Sequence, residues 1–551
     1  MKPPAFLSQR PLYLVECLTI AAVLWVVGWC IVMPSTKPIR LSLEVLRSDW
    51  AKVLSSGVML YLFDRLLLWP YLRNPLRRLF PTIYTNGILR STQLLLEEPR
   101  GTTPLAWFKQ HPTAHALHTH GLIEGSTILP ISPDALRDVF SAHAYGHTKP
   151  AEWAALDAPF LGWGLILSEG ARYRTARGIM LPHLRLESVR GNFAVVRRKA
   201  GLLAGAIGRG GVGVGVDRDY MDVTPFALRY VLDVSSASLL CYDWDALVSR
   251  WDDADTRLWE RTLNVSQGAV RFLSVATYLP VGCMKLLPLR INRARDRRAK
   301  ALRRICWKIL ESAKLQNGEG KPLPHQALRQ IVQSAGCSVA YPHVPHGWSR
   351  DNYRRDHMGD PYLTLAENLC HQETLISEID NVVAGRDFEH EELERMVYLN
   401  AVVEEVLRLH PPLPYTSRAT CKPISIVGRT VPTGTAIHMW VGAINRNPQY
   451  WGPKADVFDP SRWITIDEHG IERANKHGGA SSNYQNMTFL QGPRICAGRD
   501  FSKMWIKTAL VEILRKFSVS RSREDSGEVK ARGWLIVRPV AGPRVKFTPR
   551  S

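Results

Sequence analysis

The chain has 551 residues, of which 45% are hydrophobic and 22% are charged, so its composition is that of a globular protein and not of a disordered one. Its 71 basic and 50 acidic residues give a formal charge of +21, which favours anionic partners such as a phospholipid surface, an acidic protein or nucleic acid. The nine cysteines have no paired spacing, which argues against a disulfide framework or a zinc site and indicates a reducing compartment.

An apolar run near the N-terminus predicts a membrane span. It extends from Leu12 to Met33, close to the roughly 20 residues that a helix needs to cross the hydrocarbon layer. The run is long for a cleaved signal peptide, and no small-residue cleavage site follows it, so we favour an anchor. A second apolar stretch, 58–72, is interrupted by charges and a proline and is predicted to lie along the membrane. We therefore interpret residues 1–74 as anchor and linker.

Two patterns in the first 310 residues are typical of nucleotide or nucleic-acid binding but have simpler explanations. Gly208 to Gly213 has the spacing G-x-G-x-x-G, yet no strand pattern precedes it and no helix pattern follows it. The basic residues between 293 and 304 alternate with apolar residues at helical spacing. The first pattern is interpreted as a loop and the second as a helix with a solvated or membrane-facing basic side, so we expect no nucleic-acid partner.

Helical apolar spacing is strong between Leu363 and His410, where a pair of prolines ends the pattern. Glu405 and Arg408 lie three residues apart on one face of the last helix in this stretch, within reach of an ion pair. Such a pair contributes little at a protein surface. Its importance therefore depends on whether it is buried.

Alternating apolar residues follow the helical stretch and predict β-structure. Residues 424–426 and 435–439 flank Pro432 and Gly434, which predicts a hairpin. Residues 535–537 and 544–547 flank a second group of turn residues near the C-terminus. We therefore expect two hairpins among the helices.

The last tenth of the chain contains a cysteine in a basic loop. Cys496 lies between Gly492 and Gly498, which suit a tight turn and the close approach of a flat ligand. Arg494 and Arg499 flank the cysteine, and helical spacing resumes directly after them. Positive neighbours and a helix N-terminus lower the pKa of a thiol, and the thiolate is the form that binds iron. The loop is therefore a candidate metal-binding element.

The loop resembles the haem-binding signature of the cytochrome P450 superfamily, the haem-thiolate monooxygenases, of the eukaryotic membrane-anchored (microsomal) type. Six residues match that signature at fixed offsets: Phe489, Gly492, Arg494, Cys496, Gly498 and Phe501. The resemblance implies haem b with the thiolate of Cys496 as axial ligand. It also implies a mainly α fold with small β-sheets over residues 75–551, preceded by the transmembrane helix.

The resemblance also implies roles for residues outside the loop. Tyr173 and Arg177 lie where the family has a helix that carries a tryptophan and an arginine against a haem propionate, and tyrosine replaces tryptophan here. A phenol and a guanidinium four residues apart can both reach a carboxylate. The implied cofactor-binding residues are Tyr173, Arg177, Arg418, Phe489, Gly492, Arg494 and Gly498.

Glu405 and Arg408 match the family's Glu-x-x-Arg pair, which Arg462 from a downstream loop would complete. The implied role of this triad is structural, because a buried carboxylate between two guanidiniums can fix the turn beneath the haem. One family feature is missing: near residues 347–353 no distal acid and threonine can be named, and nearby prolines prevent an unbroken helix. Either residues 336–361 are a misread stretch such as a retained intron, or the distal side is altered.

The implied reaction is insertion of one oxygen atom from O2 into an apolar small molecule. The implied electron donor is an NADPH-dependent flavoprotein of the cytochrome P450 reductase type, whose acidic docking face would suit the positive charge. We expect a single-pass protein of the endoplasmic reticulum membrane with a cytosolic catalytic domain. Two alternatives stay open: a haem-thiolate protein that does not activate oxygen, isomerase-like or inactive, and a membrane-tethered basic binding protein without haem.

Overall fold

The computed structural model describes residues 72–84, 101–121, 125–151, 164–209, 220–239, 242–248, 361–521 and 544–550 as continuous stretches, together with scattered residues and two short strands. Three sequence predictions fall mostly or wholly outside these residues: the span 12–33, the stretch 58–72 and the anomalous stretch 336–361. Within the described part of the chain, no helix is both long enough and apolar enough to cross a bilayer.

Helices account for most of the described secondary structure. In chain order they are α1 (Leu76–Leu79), α2 (Thr102–Gln110), α3 (Pro133–Arg137), α4 (Gly170–Met180), α5 (Leu186–Gly191), α6 (Phe193–Gly208), α7 (Thr224–Leu239), α8 (Pro361–Glu367), α9 (Leu369–Val383), α10 (His390–Arg395), α11 (Val397–Leu409), α12 (Val441–Asn445), α13 (Pro448–Trp451) and α14 (Arg499–Leu514). Helix α11 illustrates why these segments are helical. Its apolar residues recur at helical spacing and are buried, namely Leu399, Val402, Val403 and Val406. The helix ends just before the proline pair.

The strands form one larger sheet and several small ones. In chain order they are β1 (Thr82–Tyr84), β2 (Ala116–Gly121), β3 (Gly125–Pro130), β4 (His147–Thr148), β5 (Met221–Asp222), β6 (Thr416–Thr420), β7 (Ile424–Ile426), β8 (Arg429–Val431), β9 (Ala436–Met439), β10 (Ile464–Ile466), β11 (Glu472–Ala474), β12 (Phe517–Arg521), β13 (Ala531–Arg532), β14 (Arg538–Pro539) and β15 (Arg544–Pro549). Six strands pair in the order β1-β2-β3-β9-β6-β4, with β1/β2 and β3/β9 parallel and the other pairs antiparallel. The prediction of a mainly helical fold with small β-sheets is confirmed.

The predicted hairpin between residues 424–426 and 435–439 is wrong in its pairing. Strand β7 pairs with β8 instead, through a turn at Val427 and Gly428, whose φ angles are 48° and 72°. Two successive residues with positive φ form a tight turn that matches the twist of a hairpin, so the chain reverses earlier than the proline and glycine suggested. Strand β9 pairs with β3 and β6.

The predicted C-terminal hairpin is described only in its second strand. Strand β15 pairs antiparallel with β12 over five positions and with β5 at its start, giving the order β12-β15-β5. Residues 535–537, the partner expected from the sequence, lie outside the described residues. Pairing with distant strands places the end of the chain against α6 and α8.

Two hydrophobic cores meet at the cysteine loop. A helical core combines buried faces of α6, α7, α9, α11 and α14, and a second core lies beneath the six-stranded sheet and α2. Phe489 and Phe501 are buried in the helical core, whereas Met487 is buried in the sheet core and Leu490 packs against it. The start of the loop is therefore fixed from both sides, which holds the segment that leads to Cys496.

Candidate functional site

The backbone of the cysteine loop turns tightly before Cys496. The amide of Cys496 donates to the carbonyl of Phe489 (2.9 Å), and residues Gly492–Arg494 form one turn of 3-10 helix. Gly492 has a φ of 72°, and a Cβ at this position would lie 2.2 Å from the carbonyl oxygen of Phe140. Gly498 has ordinary φ, and nothing in the described chain lies within 4 Å of an added Cβ. The protein itself therefore requires glycine at 492 and not at 498.

The thiol of Cys496 does not have the lowered pKa that its basic neighbours suggested. Burial raises the pKa, and this effect outweighs the amide of Gly498 and the guanidiniums of Arg177 and Arg499, which lower it. Arg499 is also partly neutralised, because its Nε donates to Asp500 (2.8 Å). The thiolate would therefore form when a metal cation binds, since coordination deprotonates a thiol outright.

Tyr173 and Arg177 lie on one face of α4 and reach the cysteine loop. Nη1 of Arg177 donates to the hydroxyl of Tyr173 (3.2 Å) and to the carbonyl of Ile495 (3.0 Å), the residue before the cysteine. The Tyr173 ring is buried and lies beneath the guanidinium of Arg494, 4.7 Å from the ring centroid. Helix α4 therefore contacts the loop at Arg494 and at Ile495.

A buried group of charged side chains lies between α4, the loop and the sheet; we call it the Glu169 cluster. It consists of Lys149, Glu169, Arg418 and Arg494. Nζ of Lys149 donates to Oε1 of Glu169 (3.0 Å), and Arg494 forms an ion pair with Oε2. Arg418, on β6, is buried and donates through Nη1 to the hydroxyl of Thr416 (3.1 Å) and the carbonyl of Ser417 (2.8 Å).

The Glu169 cluster has more positive than negative charge, and some of its hydrogen-bond donors have no acceptor within it. Three cations surround one carboxylate, and Nε of Arg418 and both Nε and Nη1 of Arg494 are buried with no hydrogen-bond partner among the described residues. Burial, with Arg418 as the next cause, lowers the pKa of Lys149 to about 8. Burial lowers the pKa of Arg418 to about 10. Burial would raise the pKa of Glu169, but Arg494 and Lys149 outweigh it and lower that pKa to about 2.

This arrangement fits a dianionic ligand. Two positive charges remain after Glu169 is counted, and buried cations without a counter-charge are costly. Haem b carries two propionates, each of which can accept from a guanidinium. The chain offers a thiol at Cys496 and unsatisfied guanidinium donors at Arg418 and Arg494 for the same ligand. The residues present therefore fit a haem with a cysteine ligand.

A second buried charge group, which we call the Glu405 cluster, contains Glu405, Arg408, Arg462 and Trp463. Arg408 donates through Nε and Nη2 to the two carboxylate oxygens of Glu405, each at 2.8 Å, and both side chains have 0% exposure. Nε1 of Trp463 donates to Oε2 (2.9 Å), and Nε of Arg462 lies 3.4 Å from Oε1. The three residues expected from the sequence thus meet, with Trp463 as a fourth member.

The Glu405 cluster is connected to the cysteine loop through Asn445. Nη1 of Arg408 donates to the carbonyl of Asn445 (2.8 Å), and the Asn445 side chain accepts from the amide of Met487 (2.8 Å) and donates to the hydroxyl of Thr488 (2.8 Å). Thr488 in turn donates to the carbonyl of Leu407 on α11 (2.8 Å). These bonds hold the segment just before Phe489 against α11.

Sequence reasoning missed Lys149 and Glu169. They are 20 residues apart, and Glu169 is 325 residues from Arg494, so no local spacing connects them. The only local signal is the position of Glu169 directly before the first residue of α4, where acidic side chains are favoured. The distal side of the site, expected near 347–353, lies outside the described residues.

Comparison with known proteins finds one family profile and several relatives that resemble this chain. A profile of the cytochrome P450 family matches residues 362–547, which include Cys496, Arg418 and the Glu405 cluster. Cytochrome P450 monooxygenase ptmK of Penicillium ochrochloron is 26% identical over 511 residues, covering 90% of this chain and 98% of that protein. Cytochrome P450 monooxygenase buaD of Petromyces alliaceus is 27% identical over 460 residues, covering 78% and 81%. Thromboxane-A synthase of Sus scrofa is 27% identical over 246 residues, covering 40% and 44%.

Proposed function

This chain belongs to the cytochrome P450 superfamily, and we propose that it is a membrane-anchored monooxygenase that acts on an apolar small molecule with electrons from an NADPH-dependent reductase. Membership gives it haem with a cysteine thiolate ligand, an oxygen-incorporating activity, a redox partner and a small-molecule substrate. Such a haem, when bound, supplies an electron-rich iron that favours O–O cleavage. The identity of the donor, the apolar character of the substrate and the membrane anchor are the proposed parts.

Cys496 is the proposed axial ligand. The observation that carries this assignment is its position in a loop that both hydrophobic cores hold, next to a buried cluster with two surplus positive charges. Arg418 and Arg494 are the proposed propionate donors. Arg177 would position the loop through the carbonyl of Ile495 as well as contribute charge. Phe489 and Gly492 shape the loop, and Gly498 leaves room beside the thiol.

Glu405, Arg408 and Arg462 have a proposed structural role. Their bonds link α11 to the loop after α13, and Asn445 extends the network to residues 487–488. None of these side chains offers a group that takes part in oxygen chemistry, because their donors bind one another, Glu405 or backbone carbonyls. No residue is proposed as the distal proton donor.

Residues 1–74 are proposed as anchor and linker and residues 75–551 as the haem domain. The apolar run 12–33 supports the anchor, and the exposed side chains of Met59, Phe63 and Leu72 support contact of 58–72 with lipid. An anchor followed by a cytosolic domain at the endoplasmic reticulum would place the site beside apolar substrates. The positive charge of the chain would suit an acidic reductase face.

A carbon monoxide spectrum of the reduced protein tests the ligand. We expect the red-shifted Soret band of a thiolate-ligated carbonyl, and we expect Cys496→Ser to lose that band. The matched controls are Cys370→Ser and Cys421→Ser, since both cysteines are exposed and lie outside the loop. A band that persists in Cys496→Ser would remove the assignment.

A turnover measurement tests the reaction. The protein is combined with a P450 reductase, NADPH and isotopically labelled dioxygen, and the products of a panel of apolar compounds are analysed by mass spectrometry. We expect one labelled oxygen atom in the product. A protein with the thiolate band and no labelled product under these conditions would favour the non-oxygenating alternative, which the monooxygenase relatives do not support.

A further inference from the structure

Glu169 holds three separate segments together at the edge of the site. It lies directly before α4, so its backbone position is set by the helix that carries Tyr173 and Arg177. Oε1 accepts from both the amide (3.1 Å) and Nζ (3.0 Å) of Lys149, which follows β4. Oε2 forms an ion pair with Nη2 of Arg494 in the cysteine loop. One carboxylate therefore links the sheet, α4 and the loop.

Arg494 is constrained by this contact. One corner of its guanidinium is bound by Glu169, and its face lies over the ring of Tyr173 at 4.7 Å, with Tyr145 at 5.6 Å. The side chain is only 6% exposed, so few other orientations are open to it. Nε and Nη1 remain as buried donors without a partner in the described chain. The orientation of these two donors follows from where Glu169 holds Nη2, because a guanidinium is planar and rigid.

We propose that Glu169 is a positioning residue for haem binding: it orients Arg494 and Lys149 so that their remaining donors bind a propionate, and it neutralises one of three buried cations. The inference rests on the proposed function, since it assumes that a propionate is the partner of Arg494. Glu169 itself touches neither the propionate nor the iron ligand in this proposal.

The charge count supports the role. With Glu169 ionised, three cations and one carboxylate match the two negative charges of the propionates. Without it, Arg494 would lose its only anionic partner in the described chain, and Lys149 would lose the acceptor of both Nζ and its amide. A freed guanidinium would occupy several orientations, and binding would have to order it again.

The experiment is the rate of haem transfer from the full-length holoprotein to excess apomyoglobin. We expect Glu169→Gln to lose haem about tenfold faster, equivalent to roughly 1.4 kcal/mol, while its reduced carbonyl spectrum keeps the thiolate band. The amide keeps the shape of the side chain but is neutral and has one acceptor oxygen, so it cannot pair with both Lys149 and Arg494 as the carboxylate does. Glu394→Gln, which removes an ion pair to Lys507 (2.6 Å) outside the cluster, is the control and should leave the rate unchanged.

A double-mutant cycle separates positioning from simple structural support. If Glu169 acts through Arg494, Glu169→Gln should have little further effect in an Arg494→Gln background. Additive effects, or an unchanged rate in Glu169→Gln, would overturn the proposal. Glu169→Asp keeps the charge and should give a rate of haem loss between those of the unmodified protein and Glu169→Gln. If Glu169→Gln does not fold, Glu169→Asp takes its place in the cycle. Absence of the thiolate band in the unmodified protein would instead overturn the proposed function.

Discussion

The two buried clusters near the cysteine loop each place arginines around one glutamate, but they differ in how many buried donors the protein itself leaves without a partner. In the Glu405 cluster, the carboxylate accepts from Arg408, Trp463 and the amide of Asp459, and Arg408 uses its remaining donors on backbone carbonyls. Nε of Arg462 has no hydrogen-bond partner among the described residues, but it lies 3.4 Å from Oε1 of Glu405 as an ion pair. In the Glu169 cluster, donors of Arg418 and Arg494 have no partner in the described chain. A cluster whose donors are mostly satisfied by the protein supports the fold, whereas one with several buried guanidinium donors left over is arranged for a ligand.

Burial makes the positive charges of the Glu169 cluster costly. Burial lowers the pKa of Lys149 to about 8 and that of Arg418 to about 10, so the folded protein disfavours these cations until an anion joins them. The same contrast gives opposite expectations for mutation. Removing an arginine from the Glu405 cluster should destabilise the fold, and removing one from the Glu169 cluster should mainly weaken ligand binding.

The largest expected effect is in the Glu405 cluster. We expect Arg408→Ala to lower the free energy of unfolding by about 3–5 kcal/mol, because it leaves the carboxylate of Glu405 buried without its bidentate partner. Urea denaturation followed by tryptophan fluorescence measures the loss. Arg386→Ala is the control, because its pair with Glu392 is on the surface, where an ion pair contributes little to stability. Similar losses in both variants would contradict the structural role.

The next largest effect is expected at Gly492 in the loop backbone. This substitution tests whether the tight turn, as well as the ion pair with Glu169, positions Arg494. We expect Gly492→Ala to lower the free energy of unfolding by about 2 kcal/mol or more. Alanine is strained at a φ of 72°, and its Cβ would collide with the carbonyl oxygen of Phe140. Thermal unfolding of the holoprotein measures it. Gly191→Ala, at a position with ordinary φ and open space, should be neutral. A neutral Gly492→Ala would show that the loop can move.

Arg418 tests whether removing an arginine from the Glu169 cluster changes the unfolding free energy in the opposite direction to Arg408→Ala. We expect Arg418→Met to raise the unfolding free energy of haem-depleted protein by about 1 kcal/mol, because it removes a buried cation without a full set of acceptors. Haem loss should become faster in the same variant. Denaturation with and without haem measures both. A lower stability of the haem-depleted variant would mean that Arg418 supports the fold in the way that Arg408 does.

The smallest effect concerns pH. Burial, with Arg418 next, lowers the pKa of His147 to about 4, while its Nε2 donates to the carbonyl of Val139 (2.7 Å). Between pH 6.5 and 4 the unfolded histidine binds the proton that the folded one does not, so stability falls as pH falls. At pH 6 this loss is less than about 1 kcal/mol. We expect the unfolding free energy of His147→Gln to fall less steeply with decreasing pH over this window, measured by denaturation at several pH values. An unchanged dependence on pH would contradict the lowered pKa of His147.

Much of the site could be read from local spacing. The cysteine signature spans 13 residues, and the Glu405–Arg408 pair lies within one helical turn, so the chain places these groups together in any fold that keeps the local structure. The helical apolar pattern likewise predicted the region of α8 to α11 and the buried helix α14. These features depend on residues close in sequence, whose geometry the backbone largely determines.

Only the tertiary structure decided the rest. Lys149, Glu169, Arg418 and Arg494 come from four segments, and long-range packing alone brings them together. The strand partners of β9 and β15 were missed for the same reason, since pairing depends on which edges meet. The thiol of Cys496 was expected to have a lowered pKa from its basic neighbours, yet burial raises it. Burial is a property of the folded molecule, so the sequence by itself determined which groups could ligate iron, and the tertiary structure determined their ionisation and their unsatisfied donors.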